Sequence, residues 1–489
     1  MLGQIKNLTK HSAIYSVGTF IQRALGLVLL PILTDTTYLA QKSEYGDYTL
    51  VYGFIAFMNV VYLYGIDSAF LRFYFIGKHS KEDIYRTTIQ LLSLTAIITS
   101  VILFLLSEPL SIVIFNDHGY QFFIKMAAAI LFFDTLCNIP YLLLRAEERS
   151  VLYTSIRLGR FILELLFNLI FIVGLRLGVK GILYANLIAA LINLIVLLPV
   201  QLKYMHGKFS SQALKELLKF GLPLIPNGLA YLAVEMSHRY LMLYLLDKNK
   251  VGEYGANYKF GTLMLLLVTG FRTAWQPFFL KIAHQDDAKR IYARVMTYFV
   301  FGSALVVLIG SLFIEYIVKI PVAPGKTLMG KEYWGGVFII PLILLSYLFY
   351  GIYVNLTVGI YIKKKSQLMF IFTGLAALTN IGFNLYLIPT MGMIGAALAT
   401  LIAYLVMMLS IFIANQKIYP VPYEYTRLAM ILSYVIISLV IYYFFAPVWY
   451  IRLVLIMAIP ILVFGVGFFK QEEKIFITEL ISKIMKKQR

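Results

Sequence analysis

Residues 178–189 read Gly-Val-Lys-Gly-Ile-Leu-Tyr-Ala-Asn-Leu-Ile-Ala, and residues 392–403 read Gly-Met-Ile-Gly-Ala-Ala-Leu-Ala-Thr-Leu-Ile-Ala. Both stretches place Gly, Gly, Ala and Ala at the same four positions of an apolar segment. Small residues at helical spacing are common where two membrane helices touch. The two stretches lie 214 residues apart, which is a first indication that the second half of the chain repeats the first.

Three further pairs of matching motifs occur in the same order in the two halves of the chain. They are Glu44-Tyr45-Gly46 with Glu253-Tyr254-Gly255, the set Gly65, Ala69 and Phe70 with Gly270, Ala274 and Trp275, and Asn168-Leu169 with Asn384-Leu385. Their offsets of 209, 205 and 216 residues are close to the first one. Each repeat covers six of the predicted helices given below. Because six is an even number, the second set of helices enters the membrane from the same side as the first. We therefore expect two lobes related by a pseudo-two-fold axis along the membrane normal, with a cleft between them.

Composition identifies the environment of this repeat. Of 489 residues, 60% are hydrophobic and 14% charged, which excludes an ordinary soluble domain. The formal net charge of +19 is that of a membrane protein with basic loops rather than of a nucleic-acid binder. The single cysteine, Cys137, excludes a disulfide framework and a cysteine-based metal cluster.

The apolar segments predict an all-α polytopic membrane protein with about 14 transmembrane helices, each close to the length needed to cross a bilayer. The predicted spans are 12–34, 47–66, 87–107, 122–144, 152–174, 179–202, 222–246, 256–279, 293–318, 334–358, 368–389, 392–414, 427–446 and 449–469. We expect a six-helix lobe over 1–205, a cytoplasmic linker over 206–220 and a second six-helix lobe over 221–416. Residues 417–489 then hold two extra helices and a basic tail.

Basic residues predict the orientation of these spans. With the N-terminus inside, the inner segments carry about three times as many Lys and Arg as the outer loops, which is the positive-inside pattern. Both termini are therefore predicted to face the cytoplasm. Residue 118 should lie outside and Lys364 inside.

Several short motifs give the chain a resemblance to a known family. They are Arg23-Ala-Leu-Gly-Leu-Val-Leu-Leu-Pro31, Glu44-Tyr45-Gly46, Gly65-Ile-Asp-Ser-Ala-Phe-Leu-Arg72, Phe220-Gly-Leu-Pro223-Leu-Ile-Pro226, Val251-Gly-Glu-Tyr254 and Ala274-Trp-Gln-Pro-Phe278. Together with the 6 + 6 + 2 layout, they resemble the Wzx-type polysaccharide flippases. These belong to the multidrug/oligosaccharidyl-lipid/polysaccharide exporter superfamily, which also contains the lipid II flippases and the MATE drug exporters.

The resemblance implies a fold and a function. It implies a V-shaped central cavity, alternating access, and transfer of an undecaprenyl-diphosphate-linked oligosaccharide from the inner to the outer leaflet of the cell membrane. The implied partners are that lipid-linked oligosaccharide, membrane lipids and polysaccharide polymerase machinery. Neither a cofactor nor nucleic acid is expected, and the coupling ion stays open between a proton, sodium and neither.

Basic residues inside the predicted spans are the candidates for substrate binding, because a buried cation needs a partner, a route to the interface or a watery cavity. Arg23 lies about 16 Å from the inner end of span one and has no carboxylate within a turn. Lys259 and Arg272 point about 220° apart on span eight, so a straight helix cannot aim both at one cleft. The full predicted cationic set is Arg23, Arg239, Lys259, Arg272 and, at the inner mouth, Arg72. Such a cleft suits a lipid diphosphate.

The remaining buried charges have structural alternatives. Lys125 is close enough to a span end to extend to the interface, and Arg160 precedes Glu164 by one turn, which predicts an intrahelical pair. Glu235, His238 and Asp67 are candidates for ion coupling or for pairing with Arg239 and Arg72. Pro223 and Pro226 are candidate hinges at the start of span seven.

Two other functions compete with the flippase hypothesis. A MATE-like exporter of small molecules would use acidic residues for cations, and a membrane polymerase or ligase would use a sizeable outer loop with catalytic groups. The longest predicted outer loop is only about 319–333. Within it, Gly325-Lys326-Thr327 resembles the tail of a nucleotide-binding loop, but the required earlier glycine is Ile320. The sequence therefore favours a transporter over an enzyme.

Overall fold

We describe the chain from a computed structural model, which covers residues 28–39, 41–76, 79–363, 365, 367–445 and 448–465. Over these residues the chain is almost entirely helical. The first half contains α1 (Leu30–Leu33), α2 (Lys42–Leu63), α3 (Ile66–Ile76), α4 (Lys81–Leu105), α5 (Ser107–Phe115), α6 (Gln121–Ala146), α7 (Ser150–Asn168) and α8 (Gly178–Lys203). The linker region forms α9 (Ser211–Gly221).

The second half begins with α10 (Ile225–Leu245) and a long α11 (Lys248–Lys281). It continues through α12 (Ala288–Leu312), α13 (Ile314–Ile317), α14 (Ile340–Leu356), α15 (Val358–Ile362), α16 (Leu368–Met391) and α17 (Met393–Ile418), followed by α18 (Tyr425–Phe445) and α19 (Trp449–Gly465). Short 3₁₀ turns at Leu222–Leu224 and Lys331–Ile339 lead into α10 and α14, and a π-helical turn at Leu169–Gly174 extends α7.

The predicted helical membrane fold is confirmed over the described residues. Eleven helical segments there are long and apolar enough to cross a membrane, and Trp449–Ile459 is a shorter apolar helix. These segments correspond to spans two to four and six to thirteen, with span fourteen as the shorter helix. Span five is formed by α7, which carries Arg157, Arg160 and Glu164. Most of span one lies outside the described residues.

One element in the described chain departs from the all-α prediction. The longest of the predicted outer loops contains a small antiparallel hairpin of β1 (Pro321–Ala323) and β2 (Lys326–Thr327). Gly325 makes the turn with a φ of +73°, a conformation that glycine adopts without strain. The Gly-Lys-Thr sequence is therefore the turn and return strand of this hairpin.

The internal repeat has a conformational signature. Gly178 and Gly392, the first residues of the two quoted stretches, have nearly equal positive φ values of 56° and 58°. In each half, an Asn amide donates a hydrogen bond to the carbonyl oxygen four residues earlier, from Asn168 to Glu164 and from Asn384 to Asn380, both at 2.8 Å. The shared φ value and the shared hydrogen bond show that the repeated residues adopt the same local structure in both halves.

The two halves differ where α2 and α11 should match. Span two is broken at Tyr64 and Gly65, which both have positive φ, and continues as α3. Its counterpart α11 runs unbroken for 34 residues, past Gly270. Gly65 is held by close packing, because a Cβ atom there would collide with the carbonyl group of Gly221.

The predicted linker packs against the end of the first lobe that is predicted to face inside. Ala213 and Leu217 of α9 are fully buried in a cluster with residues of α3, α4 and α6. The Lys208 N–H donates to Asp83 at 2.6 Å, and the Ser210 N–H donates to Thr87 at 3.0 Å. The chain passes from this docked segment into α10 through the turn that contains Pro223.

Candidate functional site

The first candidate site is a cavity of about 380 Å³ between the two halves of the chain, which we call the interlobe cavity. The first half contributes residues of α2, α7 and α8 and two residues at α1, and the second half contributes α11. Its polar and charged lining residues are Tyr48, Tyr52, Glu164, Asn168, Lys259 and Thr262. Most of the remaining wall is aliphatic, so the few polar groups determine what can bind there.

Lys259 is the one Lys or Arg among the residues that line the interlobe cavity in the described structure. Its ammonium group lies 3.4 Å from the Tyr48 hydroxyl and above the rings of Tyr48 and Tyr45, at 5.0 and 5.7 Å from their centroids. No Asp or Glu of the described residues lies within ion-pairing distance of it. Aromatic faces and one hydroxyl stabilise the ammonium only partly, so its positive charge remains available to an anion.

Glu164 faces the same cavity, and its local pairing differs from the sequence prediction. The predicted intrahelical pair with Arg160 is wrong, because Arg160 forms an ion pair of 2.7 Å with Asp134 on α6. Arg160 also donates to Asn186 at 3.3 Å, and Asn186 donates to the Tyr52 hydroxyl at 3.0 Å. Sequence spacing could not reveal Asp134 as the partner, since that contact joins two spans.

Arg239 and His238 lie on α10 beside the tyrosines of α11. The Arg239 guanidinium is half-buried and lies 5.6 Å from the ring centroid of Tyr258, and it forms no ion pair within the described chain. His238 is fully buried between Tyr254 and Tyr258, with centroid distances of 5.0 and 5.2 Å. Arg239 is thus a second cation near the interface of α10 and α11, and His238 packs as an aromatic ring.

Glu235 is buried at the centre of the second half, with 5% of its surface exposed. The Tyr347 hydroxyl donates to its Oε2 at 2.8 Å, and the Tyr404 hydroxyl donates to its Oε1. No direct ion pair joins it to Arg239 in the described structure. Hydroxyl donors from α14 and α17 therefore stabilise this carboxylate where the sequence suggested a pair within α10.

A second cavity of about 360 Å³ lies wholly within the second half, and we call it the C-terminal cavity. It is lined by α10, α11, α14, α15, α16 and α17, and Arg272 is the one charged residue in its lining. Arg272 is exposed, and its Nη1 lies 3.5 Å from the Tyr350 hydroxyl. Lys259 and Arg272 thus open onto two different cavities, as their 220° separation on α11 requires.

The other predicted site residues lie apart from both cavities. Arg72 is exposed on α3, with its guanidinium 4.8 Å from the ring centroid of Phe220, and it makes no ion pair with the half-buried Asp67. Lys125 lies 4.8 Å from the ring centroid of Phe104. Arg23 lies outside the described residues and stays a prediction. Among the described residues, no group of three or more His, Cys, Asp or Glu side chains is placed to hold a metal ion.

Ion pairs join the halves at their predicted outer end. Lys248 contacts Asp47 at 3.3 Å and Asp117 at 3.1 Å, and Lys42 contacts Glu253 at 3.7 Å. The Asp117 carboxylate accepts hydrogen bonds from the Gly119 N–H and from Lys248, which hold its pKa below its ordinary value despite partial burial. Lys42 and Lys248 thus link the first half to the second at this end.

The β1–β2 hairpin adds a further contact at this predicted outer end, which we call the outer latch. Lys326 contacts Asp35 at 2.6 Å and donates to the Tyr38 hydroxyl at 3.1 Å, and the Gly330 N–H donates to Thr34 Oγ1 at 2.9 Å. Partial burial alone would raise the pKa of Asp35, but its hydrogen bonds, including that from Lys326, keep it below its ordinary value. The hydrogen bond with Asp35 raises the pKa of Lys326.

The sequence did not indicate that tyrosine would recur among the polar lining residues of both cavities. Tyr48 and Tyr52 line the interlobe cavity, and Tyr231, Tyr350 and Tyr353 line the other. The chain contains 36 tyrosines, so no single one stands out without the fold. An excess of tyrosine within predicted spans was the available signal.

Comparisons with known proteins are consistent with this architecture. The fold is similar to that of the lipid II flippase MurJ in an inward closed conformation, with a TM-score of 0.70 and 17% identity. The match covers 96% of this chain and 100% of the MurJ chain. It is also similar to a multidrug resistance MATE family transporter of the MOP superfamily in its inward-facing form, with a TM-score of 0.61 and 15% identity over 83% of this chain and 95% of the other. The outward-facing form of a MATE family transporter matches with a TM-score of 0.59 and 15% identity over 86% of this chain and 96% of the other.

These identities are low, so the structural matches establish the fold. Comparison with curated protein sequences finds no match. The family model described as polysaccharide biosynthesis protein matches residues 38–320, which is more than half of the chain. The chain therefore belongs to this family of polysaccharide biosynthesis proteins and is a multi-pass membrane protein with the two-lobed fold of the MOP superfamily.

Proposed function

We propose that this protein is a flippase that moves an undecaprenyl-diphosphate-linked oligosaccharide from the inner to the outer leaflet by alternating access. The observation that carries the proposal is Lys259, a cation without a carboxylate partner in a cavity formed by both halves of the chain. A diphosphate is the anionic part of such a substrate, and charge-assisted hydrogen bonds to its oxygens are among the stronger polar contacts. Family membership supports a role in polysaccharide assembly.

In this mechanism, the diphosphate binds to Lys259 from the interlobe cavity, with Arg239 as the second cation on the neighbouring helix. Tyr48 orients the ammonium through its hydroxyl group and its ring. The outer ion pairs hold the outer end closed while substrate enters from the inner side. Their opening then exposes the same cavity to the opposite leaflet.

Arg23 and Arg72 complete the proposed cationic path. Arg72 is exposed at the predicted inner end of the first half, where an incoming head group arrives first. Asp67 lies nearby on the same helix without neutralising it. The sequence predicts that Arg23 lies about 16 Å from the inner end of span one, and we propose it as a further cation of this path.

Glu235 is the proposed position for ion coupling. It is the most deeply buried of the candidate carboxylates, and its two hydroxyl partners can reorient when a proton or a cation binds. Such a group changes the local charge of the second half without touching the lipid-linked substrate. His238 packs beside it on α10 and is proposed to support the arrangement.

The experiment that tests the proposal is reconstitution of the purified full chain into proteoliposomes. A fluorescent polyprenyl-diphosphate oligosaccharide should become accessible to a quencher in the opposite leaflet, whereas a permanently cationic dye should not be transported. Dye transport without lipid-linked transport would identify an exporter of the MATE type. In cells that depend on the protein, its deletion should leave lipid-linked repeat units on the inner leaflet; accumulation of unlinked sugar precursors would instead indicate an enzyme.

A further inference from the structure

The C-terminal cavity has a lining unlike that of the interlobe cavity. Aromatic rings form two of its walls, one from Tyr231, Tyr350 and Tyr353 and the other from Trp275, Phe279 and Tyr361. Neighbouring rings within these walls lie 5.6 to 6.0 Å apart between centroids. Flat apolar faces with hydroxyl groups at their edges suit a ligand that is itself apolar on its faces and polar at its rim.

The lining also contains uncharged hydrogen-bonding groups. They are the side chains of Asn227, Thr269, Gln276, Thr357 and Thr373. Amides and hydroxyls both donate and accept, as the hydroxyl groups of a sugar do. A pocket of about 360 Å³ with this lining is large enough for a small organic ligand. A lining that combines ring faces with hydrogen-bonding groups suits a pyranose ring, which has apolar faces and hydroxyl groups at its edge.

Arg272 adds one full positive charge to this lining. Its single hydrogen bond within the described chain is the long contact to Tyr350, although a guanidinium carries five N–H donors. The lining contains neither Asp nor Glu, and no described carboxylate lies within ion-pairing distance of Arg272. Most of the donors are therefore free for a ligand, and a planar carboxylate fits this fork well.

Position along α11 separates this charge from Lys259. The two residues are 13 positions apart, which is about 20 Å along the helix axis. A diphosphate group is too short to contact both, whereas a diphosphate with several sugars attached is long enough to reach from one cavity to the other. Leu265 lines both cavities, so they adjoin on the same helix.

We infer that the C-terminal cavity is a glycan subsite, and that Arg272 selects a sugar residue carrying a carboxylate. The inference rests on the proposed function and assigns the specificity for the glycan to a place distinct from the site of the diphosphate. The aromatic walls hold the ring of the sugar, and the uncharged groups read its hydroxyls. Arg272 pairs with the carboxylate.

The test compares two lipid-linked disaccharides that differ only in one sugar, a uronic acid in the first and its carboxyl-reduced, neutral form in the second. Arg272→Gln should slow the flipping of the acidic substrate about tenfold or more and leave the neutral one within about twofold of the wild-type rate. Arg272→Lys should restore part of the acidic rate. Lys259→Gln should slow both substrates, because both carry the diphosphate.

Other outcomes overturn the inference. If Arg272→Gln slows both substrates equally, the guanidinium binds the diphosphate or supports the fold; if it slows neither, the cavity is not a selective subsite. Elution of the variant as a monodisperse peak in detergent is the control for folding. Failure of the proposed function gives a different result, since the wild-type protein would then move neither substrate.

Binding can be measured separately from transport through Trp275, one of three tryptophans in the chain. In the Trp334→Phe/Trp449→Phe variant, addition of the acidic lipid-linked disaccharide should change the emission of Trp275, and the neutral one should change it less. The difference should vanish when Arg272→Gln is added. Equal changes with both ligands, or no change with either, would contradict the subsite.

Discussion

Replacement of Lys259 by Gln tests the proposed diphosphate site most directly. The substitution keeps a polar side chain of similar length but removes the positive charge. In the present structure, that charge is stabilised by one hydroxyl at 3.4 Å and two ring faces and by no carboxylate of the described chain. Its removal therefore leaves no carboxylate unpaired.

The size of the effect follows from the lost contact. A hydrogen bond to a charged partner contributes about 1.5–3 kcal/mol. At about 1.4 kcal/mol for each factor of ten, the loss corresponds to a reduction in kcat/KM of about 10- to 150-fold for the lipid-linked substrate. Stability should move the other way, because an unpaired cation inside a membrane span is itself unfavourable. We expect thermal stability in detergent to be unchanged or higher.

The assay is the leaflet-exchange measurement in proteoliposomes, with Lys125→Gln as the matched control. Lys125 is also a half-buried cation near an aromatic ring, 4.8 Å from the Phe104 centroid, but it lines neither of the two cavities. The control should keep its wild-type rate. A wild-type rate for Lys259→Gln would refute the role of Lys259, and an equal loss in both variants would show that any buried cation has the same effect.

Four further changes have defined outcomes. Gly46→Ala should destabilise the outer-closed state by about 1–3 kcal/mol, because the added methyl group collides with the backbone of Lys248. Gly270→Ala is the control, because its methyl group meets open space and should cause no loss of stability. Thermal unfolding of both variants measures the difference. The pKa of Asp35 is lowered and that of Lys326 is raised, so the outer latch should be complete between about pH 4 and 10. It should be lost as the pH falls through the lowered pKa of Asp35 or rises through the raised pKa of Lys326. Spin labels at residues 36 and 325 should report a broader distance distribution outside that range, and Lys326→Gln should show the broader distribution at every pH. Glu235→Gln should make transport insensitive to the proton and sodium gradients, and a gradient dependence like that of the wild type would exclude Glu235 as the coupling group. Single cysteines at positions 118 and 364, in a Cys137→Ser background, should react with an impermeant reagent only from the outside and only from the inside, respectively, and the reverse pattern would overturn the predicted topology.

The sequence predicted the fold well because membrane insertion imposes simple requirements. Spans must be apolar and about 20 residues long, and close helix contacts need small residues, so both leave a pattern that can be counted. The sequence match between Gly178 and Gly392 corresponds to a shared positive φ in the structure. The β1–β2 hairpin escaped prediction because five strand residues in a loop give no periodic signal.

The candidate site was predictable only in part. The cost of inserting a cation into the membrane singled out Lys259 and Arg272, and the helical angle between them predicted that a straight helix cannot aim both at one cleft. The second cavity, onto which Arg272 opens, was not predicted. Partners across spans could not be predicted, since contacts such as that between Arg160 and Asp134 depend on how the helices pack. Spacing along one helix favoured Glu164 as the partner, and the tertiary contact proved stronger.

The seam between the halves is made of different chemistry at its two ends. At the predicted outer end, partly exposed charges meet, such as Lys248 with Asp117 and Lys326 with Asp35. At the predicted inner end, Gly65 packs against the backbone of Gly221 beside buried apolar side chains. Dissolved salt screens exposed charges over about 8–10 Å at physiological ionic strength and scarcely affects apolar packing. The ionic strength of the external medium should therefore set how readily the outer end opens, while the inner end should respond to temperature and to the surrounding lipid.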